Sequence, residues 1–355
     1  MDNYRLDENR TVYFDYLRVL ATVCVVFIHE DLPVGELGGA CGKLTEYVSA
    51  ITDSMAMWVV PVFVMISGAI FLNRDISVKK IYSKYALRLL VAWIVWSVVY
   101  GVSTVEPLSE QVRNIIHSRR QVHLWFLPLM IGLYICIPIL KQITASKSVT
   151  KYFLSLALIF NFLFFHISLF IGYFGSDFLF RLKNFSGIDH FVKLMELHLV
   201  SGYSSYFVLG HFLNKSQLSP RRRTVIYALG FVGFVSSCIF YLIQPYRNET
   251  RGVSFFFPDG YFLVNFLLEA VAVFVFFKYC NLKQNRVITT LSKYSFGAYL
   301  VHYLVLKQLS SRFGLNVLSF NPIVSFVVVG TVAAAISFAI SALLHQIPIV
   351  KKYLV

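Results

Sequence analysis

Apolar runs close to twenty residues long recur through the chain, at 12–30, 47–72, 85–104, 123–142, 152–174, 195–213, 224–243, 259–278, 293–311 and 321–344. Short polar segments separate them. A helix rises 1.5 Å per residue, so about 20 residues cover the ~30 Å hydrocarbon core of a bilayer. The pattern predicts an all-α fold, a polytopic membrane helix bundle of about ten transmembrane helices, built as one domain over residues 1–355. An even number of crossings returns both termini to one side. Lys and Arg gather in the two tails and in the connections 73–84, 143–151, 214–223 and 279–292, which makes that side cytoplasmic by the positive-inside rule. Pro61, Pro128, Pro138 and Gly132 are expected to interrupt spans 2 and 4, and broken membrane helices are tolerated where they line a cavity. The connections 105–122 and 175–194 are longer than the others and mix basic with apolar residues, as segments that fold back against a bundle do. The chain shows no internal repeat.

Composition agrees with this reading: 57% of the residues are hydrophobic, 14% are charged and the mean hydropathy is +0.67. These values belong to an integral membrane protein rather than a soluble domain. The net charge of +14 would suit a nucleic-acid partner, but the cations flank apolar spans instead of forming one polar surface, so nucleic acid is not expected. Cys24, Cys41, Cys136, Cys238 and Cys280 form no CxxC pair, which argues against a disulfide framework or a zinc site, and no metal is expected. The N-terminus is mixed in charge and lacks a small-residue cleavage pattern, so no removed signal peptide is expected.

The informative polar residues lie inside apolar spans. Arg18 and His29 are eleven residues apart, which returns them to one helix face about 16 Å apart along the axis. Asp15 and Thr22 flank Arg18 at helical spacing and could share that face. A charge near a bilayer centre costs at least ~2.5–3.5 kcal/mol, so such residues are functional candidates by default. His29 is the best candidate for proton transfer; Arg18 suits a phosphate or an acyl donor, although snorkelling to the membrane boundary also accounts for it. Lys84 and Arg88, four residues apart at the start of span 3, suit the phosphates of a cofactor as well as they suit ordinary charge anchoring. His123 and Trp125 open span 4; an aromatic belt explains the indole, and the imidazole needs a cavity to act. Asp53 and Glu269 are intramembrane carboxylates, and Ser295, Tyr299 and His302 set a hydroxyl, a phenol and an imidazole along span 9. Phosphate-binding Gly-rich loops, HExxH and GxSxG are all missing from the sequence.

Taken in order, several of these segments resemble acyltransferase family 3 of bacterial membrane proteins. They are Tyr13-Phe-Asp-Tyr-Leu-Arg18 with His29, Pro61-Val-Phe-Val-Met-Ile-Ser-Gly68, and Arg88 after a basic loop. His123-Leu-Trp125-Phe-Leu127 with Tyr134 and Pro138, Tyr206-Phe-Val-Leu-Gly210 and Tyr294-Ser-Phe-Gly-Ala-Tyr-Leu-Val-His302 complete the set. The resemblance implies a multi-pass protein of the bacterial cytoplasmic (inner) membrane that takes acyl groups from acetyl-CoA and transfers them to a hydroxyl of a carbohydrate acceptor. It implies partners in the lipid bilayer, acyl-CoA and the carbohydrate, and it is compatible with an oligomer. It makes His29, Arg18 and Asp15 the catalytic candidates, with His29 as general base or acyl carrier and Arg18 stabilising donor or oxyanion charge. Lys84, Arg88, His123 and Trp125 become candidates for the donor site, and Asp53, Glu269, Tyr299 and His302 for the substrate cavity. Span 3 has Lys84 four residues before Arg88 where the polysaccharide-acetylating branch has an RxxR pair, and Pro128-Leu-Met-Ile-Gly132 lacks that branch's Glu-Glu pair. In this it is similar to the shorter branch with enterobacterial common antigen O-acetyltransferases and intercellular adhesin synthesis proteins. The alternative is a non-enzymatic polysaccharide exporter or permease, in which the same charges line a path.

Overall fold

The computed structural model describes residues 10–30, 42–103, 123–164, 202–251 and 260–355, with isolated positions at 109, 113, 166, 167 and 200. All regular structure among the described residues is helical. In chain order the helices are α1 (Val12–Ile28), α2 (Lys43–Ala56), α3 (Val59–Phe71), α4 (Leu87–Ser103), α5 (Phe126–Ile135), α6 (Ile137–Ala145), α7 (Lys147–Ala157), α8 (Ser204–Lys215), α9 (Pro220–Arg251), α10 (Val264–Tyr279), α11 (Arg286–Phe313), α12 (Pro322–Leu344) and the short α13 (Pro348–Tyr353). A π-helical stretch, Ile81–Ala86, leads into α4, and another, Leu158–Leu163, extends α7.

Four stretches are long and apolar enough to cross a membrane: Lys43–Phe71, Val78–Ser103, Pro220–Phe240 and Pro322–Leu344. The bent pair α5 and α6 makes a fifth when taken as one span. Other expected spans fall short for physical reasons. α1 has 17 residues and α10 has 16, which is about 24–26 Å of helix. The 28 residues of α11 include Arg286, Lys293, Lys307 and Arg312. The connections 105–122 and 175–194 lie outside the described residues except at 109 and 113, and so does Cys41.

The expected interruptions take a specific form. Pro61, Pro128 and Pro138 each stand in the first turn of a helix, α3, α5 and α6, where a missing N–H removes no intrahelical bond. Gly132 does not interrupt anything, being inside α5.

The chain divides into two compact units. The first comprises residues 1–49, 76–137 and 281–355. Here α1 and α11 pack side by side in the same direction, since Asp15 meets Ser292 near their starts and His29 meets His302 further along. Leu17, Ala21 and Val25 mark the buried stripe of α1 at four-residue spacing, and Ala298, Val301, Val305 and Leu309 that of α11. The Asn285 side chain caps the start of α11 by accepting from the N–H groups of Val287 and Ile288. Gly314, at φ 61°, ends it in the left-handed region and donates its N–H to the Ser310 carbonyl. α4 runs in the same direction again, with Arg88 over the Phe296 ring and, further on, the Tyr100 hydroxyl donating to the Leu300 carbonyl at 2.8 Å.

The second unit comprises residues 50–75 and 138–280. Its tightest crossing is between α3 and α8. A Cβ on Gly68 would lie under 3.0 Å from the Phe207 carbonyl, and one on Gly210 equally close to the Met65 backbone. Small residues allow such backbone contact between membrane helices, where dispersion replaces the hydrophobic drive. Both glycines belong to segments that carried the family resemblance.

Candidate active site

Three histidines from three segments of the first unit converge. His29 ends α1, His123 lies in the turn before α5, and His302 sits in the middle of α11. The His29 and His302 rings stack at 5.2 Å between centroids, His123 meets His302 edge-on at 4.8 Å, and His29 and His123 are 6.2 Å apart. Aromatic rings hold the group in place. Tyr303 stacks on His123 at 5.6 Å, while Tyr100 and Tyr299 approach it edge-on at 5.2 and 5.6 Å. The Tyr299 hydroxyl donates to the His123 carbonyl and so ties the turn to α11.

Hydrogen bonding separates the roles of the three rings. His302 Nδ1 meets the Tyr299 carbonyl, which can only accept, so Nδ1 carries the proton and Nε2 of the neutral ring keeps its lone pair. Nε2 is buried without a hydrogen-bond partner, and the buried His123 ring lies close to the Leu300 backbone. His302 is 0% and His123 2% exposed, whereas His29 keeps part of its surface open. His29 is the least buried residue of the three and stands at a helix end. Among the described residues no group of three or more His, Cys, Asp or Glu is arranged to hold a metal ion.

Arg18 and Asp15 lie elsewhere, about 16 and 21 Å back along the same helix. Asp15, buried at 3% exposure, accepts from the Arg10 guanidinium and from the Ser292 hydroxyl at 2.7 Å, and Arg18 Nη1 approaches it at 3.7 Å. Asp15 therefore positions Arg18 and Arg10, and Arg18 is turned back toward the start of α1. Arg18 and His29 thus occupy two levels of one helix, about 16 Å apart.

Arg88 belongs to the level of Arg18. It is half-buried, stands over Phe296 and donates to the Val355 carbonyl. Lys84 is exposed and lies over the Tyr85 ring. Tyr100, which touches His123, is twelve residues beyond Arg88, or about 18 Å. The four residues expected at the donor site are thus split, with Lys84 and Arg88 at one level and His123 in the imidazole cluster. Trp125 is half-buried, edge-on to Phe126. Of the expected cavity residues, Tyr299 and His302 join the cluster; Ser295, earlier on the same helix, donates back to the Leu291 carbonyl within α11.

Asp53 and Glu269 belong to the second unit. Glu269 accepts from Ser237, whose hydroxyl also accepts from Asn265 at 2.6 Å. Asp53 is half-buried on α2 and lies near Tyr261. Sequence reasoning missed Tyr100, Tyr303 and Glu30. Glu30 directly follows His29, is 1% exposed and lies, with Phe27, against Gly330. Its place beside His29 was the available signal, as was that of Tyr303 beside His302. Tyr100 carried no signal, since its partner is more than twenty residues away in sequence.

The chain matches, over residues 11–342, a family model described as an acyltransferase domain. No curated protein and no solved structure matches it.

Proposed function

The chain belongs to the acyltransferase 3 family, and from that premise we propose that it moves an acetyl group from cytoplasmic acetyl-CoA to a hydroxyl of a cell-surface or lipid-linked polysaccharide. The observation that carries this reading is the His29 ring, at the end of α1, stacked on a buried imidazole whose Nδ1 is engaged by a carbonyl. His29 takes the proton of the acceptor hydroxyl as its oxygen attacks the thioester carbonyl. The new C–O bond forms, the C–S bond breaks, and the proton leaves with the CoA thiol. Covalent relay is the variant in which His29 itself is acetylated first and then hands the group to the acceptor. Arg18 and Arg88, at the opposite level, hold the charged part of the donor.

The test is to incubate the purified full-length protein in lipid nanodiscs with acetyl-CoA and cell-envelope polysaccharide, and to follow CoA release together with ester formation. Ester formation that depends on His29 supports the reading. Polysaccharide movement across vesicles without any CoA release would assign the chain to transport instead.

A further inference from the structure

The second unit contains a polar cavity of about 670 Å³, within the range of small-molecule sites. It lies where α6 hands over to α7 and α8 to α9, and its wall includes Lys147, Lys151, Lys215, Arg222, Thr150 and His211. Local structure puts the cations there. The Ser146 side chain caps α7 by accepting from the Val149 N–H, and four-residue spacing then sets Lys147 and Lys151 on one face. Lys215 closes α8, and the short link that follows brings Arg222 back in the first turn of α9.

The lining holds four cations and no carboxylate. None of the ion pairs among the described residues involves these four side chains. The carbonyls at the end of α8 do not offset them either. Lys278 Nζ already donates to the carbonyls of Leu213 at 2.8 Å, Asn214 at 2.9 Å and Ser216. A second observation points to a ligand: His211 is only 4% exposed, lines the cavity, and its Nδ1 is buried with no hydrogen-bond partner. Charge anchoring at a membrane boundary explains lysines in loops. It requires neither a cavity nor a buried imidazole with an unmatched nitrogen.

We propose that this cavity binds a ligand carrying an anionic phosphate group, a diphosphate or the phosphodiester of a lipid headgroup, in a site of its own within the second unit. Clustered Lys and Arg are matched by phosphate oxygens, Arg222 as a fork and the lysines as point charges. Soluble polyphosphates and anionic phospholipid headgroups both present this chemistry, and basic pockets between membrane helices take the latter. The site goes beyond the acyl-transfer reading and does not rest on it.

The experiment uses the full-length protein in two arms. Inorganic pyrophosphate is titrated calorimetrically into protein in phosphatidylcholine nanodiscs, and retention of phosphatidylglycerol is measured by native mass spectrometry from detergent. Wild-type protein is expected to bind one equivalent of at least one probe. The double variants Lys147→Gln/Lys151→Gln and Lys215→Gln/Arg222→Gln should weaken that binding by about tenfold or more, with the melting temperature of the unliganded protein unchanged or raised by relief of like-charge repulsion. His211→Gln should weaken it without altering net charge. Binding of pyrophosphate identifies a soluble ligand, and retention of phosphatidylglycerol alone identifies a lipid headgroup. Failure of both probes to bind wild type, or binding undiminished in the variants, overturns the proposal. Should a double variant not fold, the four single Gln variants carry the same comparison.

Discussion

Replacing His29 by Gln separates chemistry from architecture. The residue stands at the end of α1, and its ring stacks on that of His302 at 5.2 Å. Losing a stacked pair of rings costs about 0.5–1.5 kcal/mol, too little to unfold a bundle of this size. Losing a general base costs about 10²–10⁴ in rate, or roughly 2.7–5.5 kcal/mol at ~1.36 kcal/mol per tenfold. His29→Gln should therefore lower kcat at least about a hundredfold while the melting temperature in detergent falls by only a few degrees. Radiolabelled acetyl-CoA distinguishes the two variants of the mechanism: a label that stays with wild-type protein and not with His29→Gln marks a covalent relay. The companion variant is His302→Asn. An Asn side chain keeps a donor for the Tyr299 carbonyl and removes Nε2, so its kcat reports what that nitrogen contributes. If His29→Gln retained more than a tenth of the wild-type rate with full acetyl transfer, His29 would not be the base and the reasoning from its place in the imidazole cluster would be wrong.

Three further outcomes follow from the structure. Arg88→Gln should raise KM for acetyl-CoA severalfold with kcat nearly unchanged, because the residue is about 18 Å from the imidazoles; an equal loss in kcat alone would remove it from donor binding. Gly68→Ala forces a methyl into the Phe207 carbonyl and should cost about 1–3 kcal/mol, seen as a lower melting temperature; unchanged stability would refute the close crossing of α3 and α8. Ser237→Ala strips Glu269 and Asn265 of a shared hydroxyl and should destabilise by about 1–3 kcal/mol; a neutral result in the melting curve would show that water replaces it.

Much of this was legible from spacing, and the exceptions share a cause. Helix periodicity placed Asp15 and Arg18 on one face, and they do interact. It also placed Lys84 and Arg88 together, but a π-helical stretch over Ile81–Ala86 precedes Arg88, and only Arg88 turns inward. Pro61 and Pro138 do mark interruptions, Pro61 after the turn that divides its span and Pro138 at the 58° bend between α5 and α6, and they do so as helix starts, because fixed φ and a missing N–H cost nothing in a first turn. The convergence of His29, His123 and His302 was beyond reach of any local pattern. Each residue drew attention by itself, but their contact depends on α1 and α11 running parallel and on a turn between α4 and α5 tied down by Tyr299. Tyr100 shows the same limit, since an aromatic residue in an apolar helix looks like any other until its neighbours are known.

The two levels on α1 constrain the mechanism more tightly than either residue does alone. An arginine side chain extends about half the ~16 Å between Arg18 and His29, and Arg18 is directed toward Asp15, one turn earlier. It is too far away to reach a thioester carbonyl under attack beside His29, so within the proposed reaction we assign it to donor charge rather than to the oxyanion. The group that spans the gap must then belong to the ligand. A donor whose charge sits with Arg18 and Arg88 and whose reactive carbon sits with His29 has to be long, flexible and charged at one end, which is the form of acyl-CoA. Shortening the donor to an acetyl thioester of a simple thiol should therefore raise KM and abolish dependence on Arg88, while dependence on His29 persists. Loss of both dependences together would show that the two levels are not joined by one ligand.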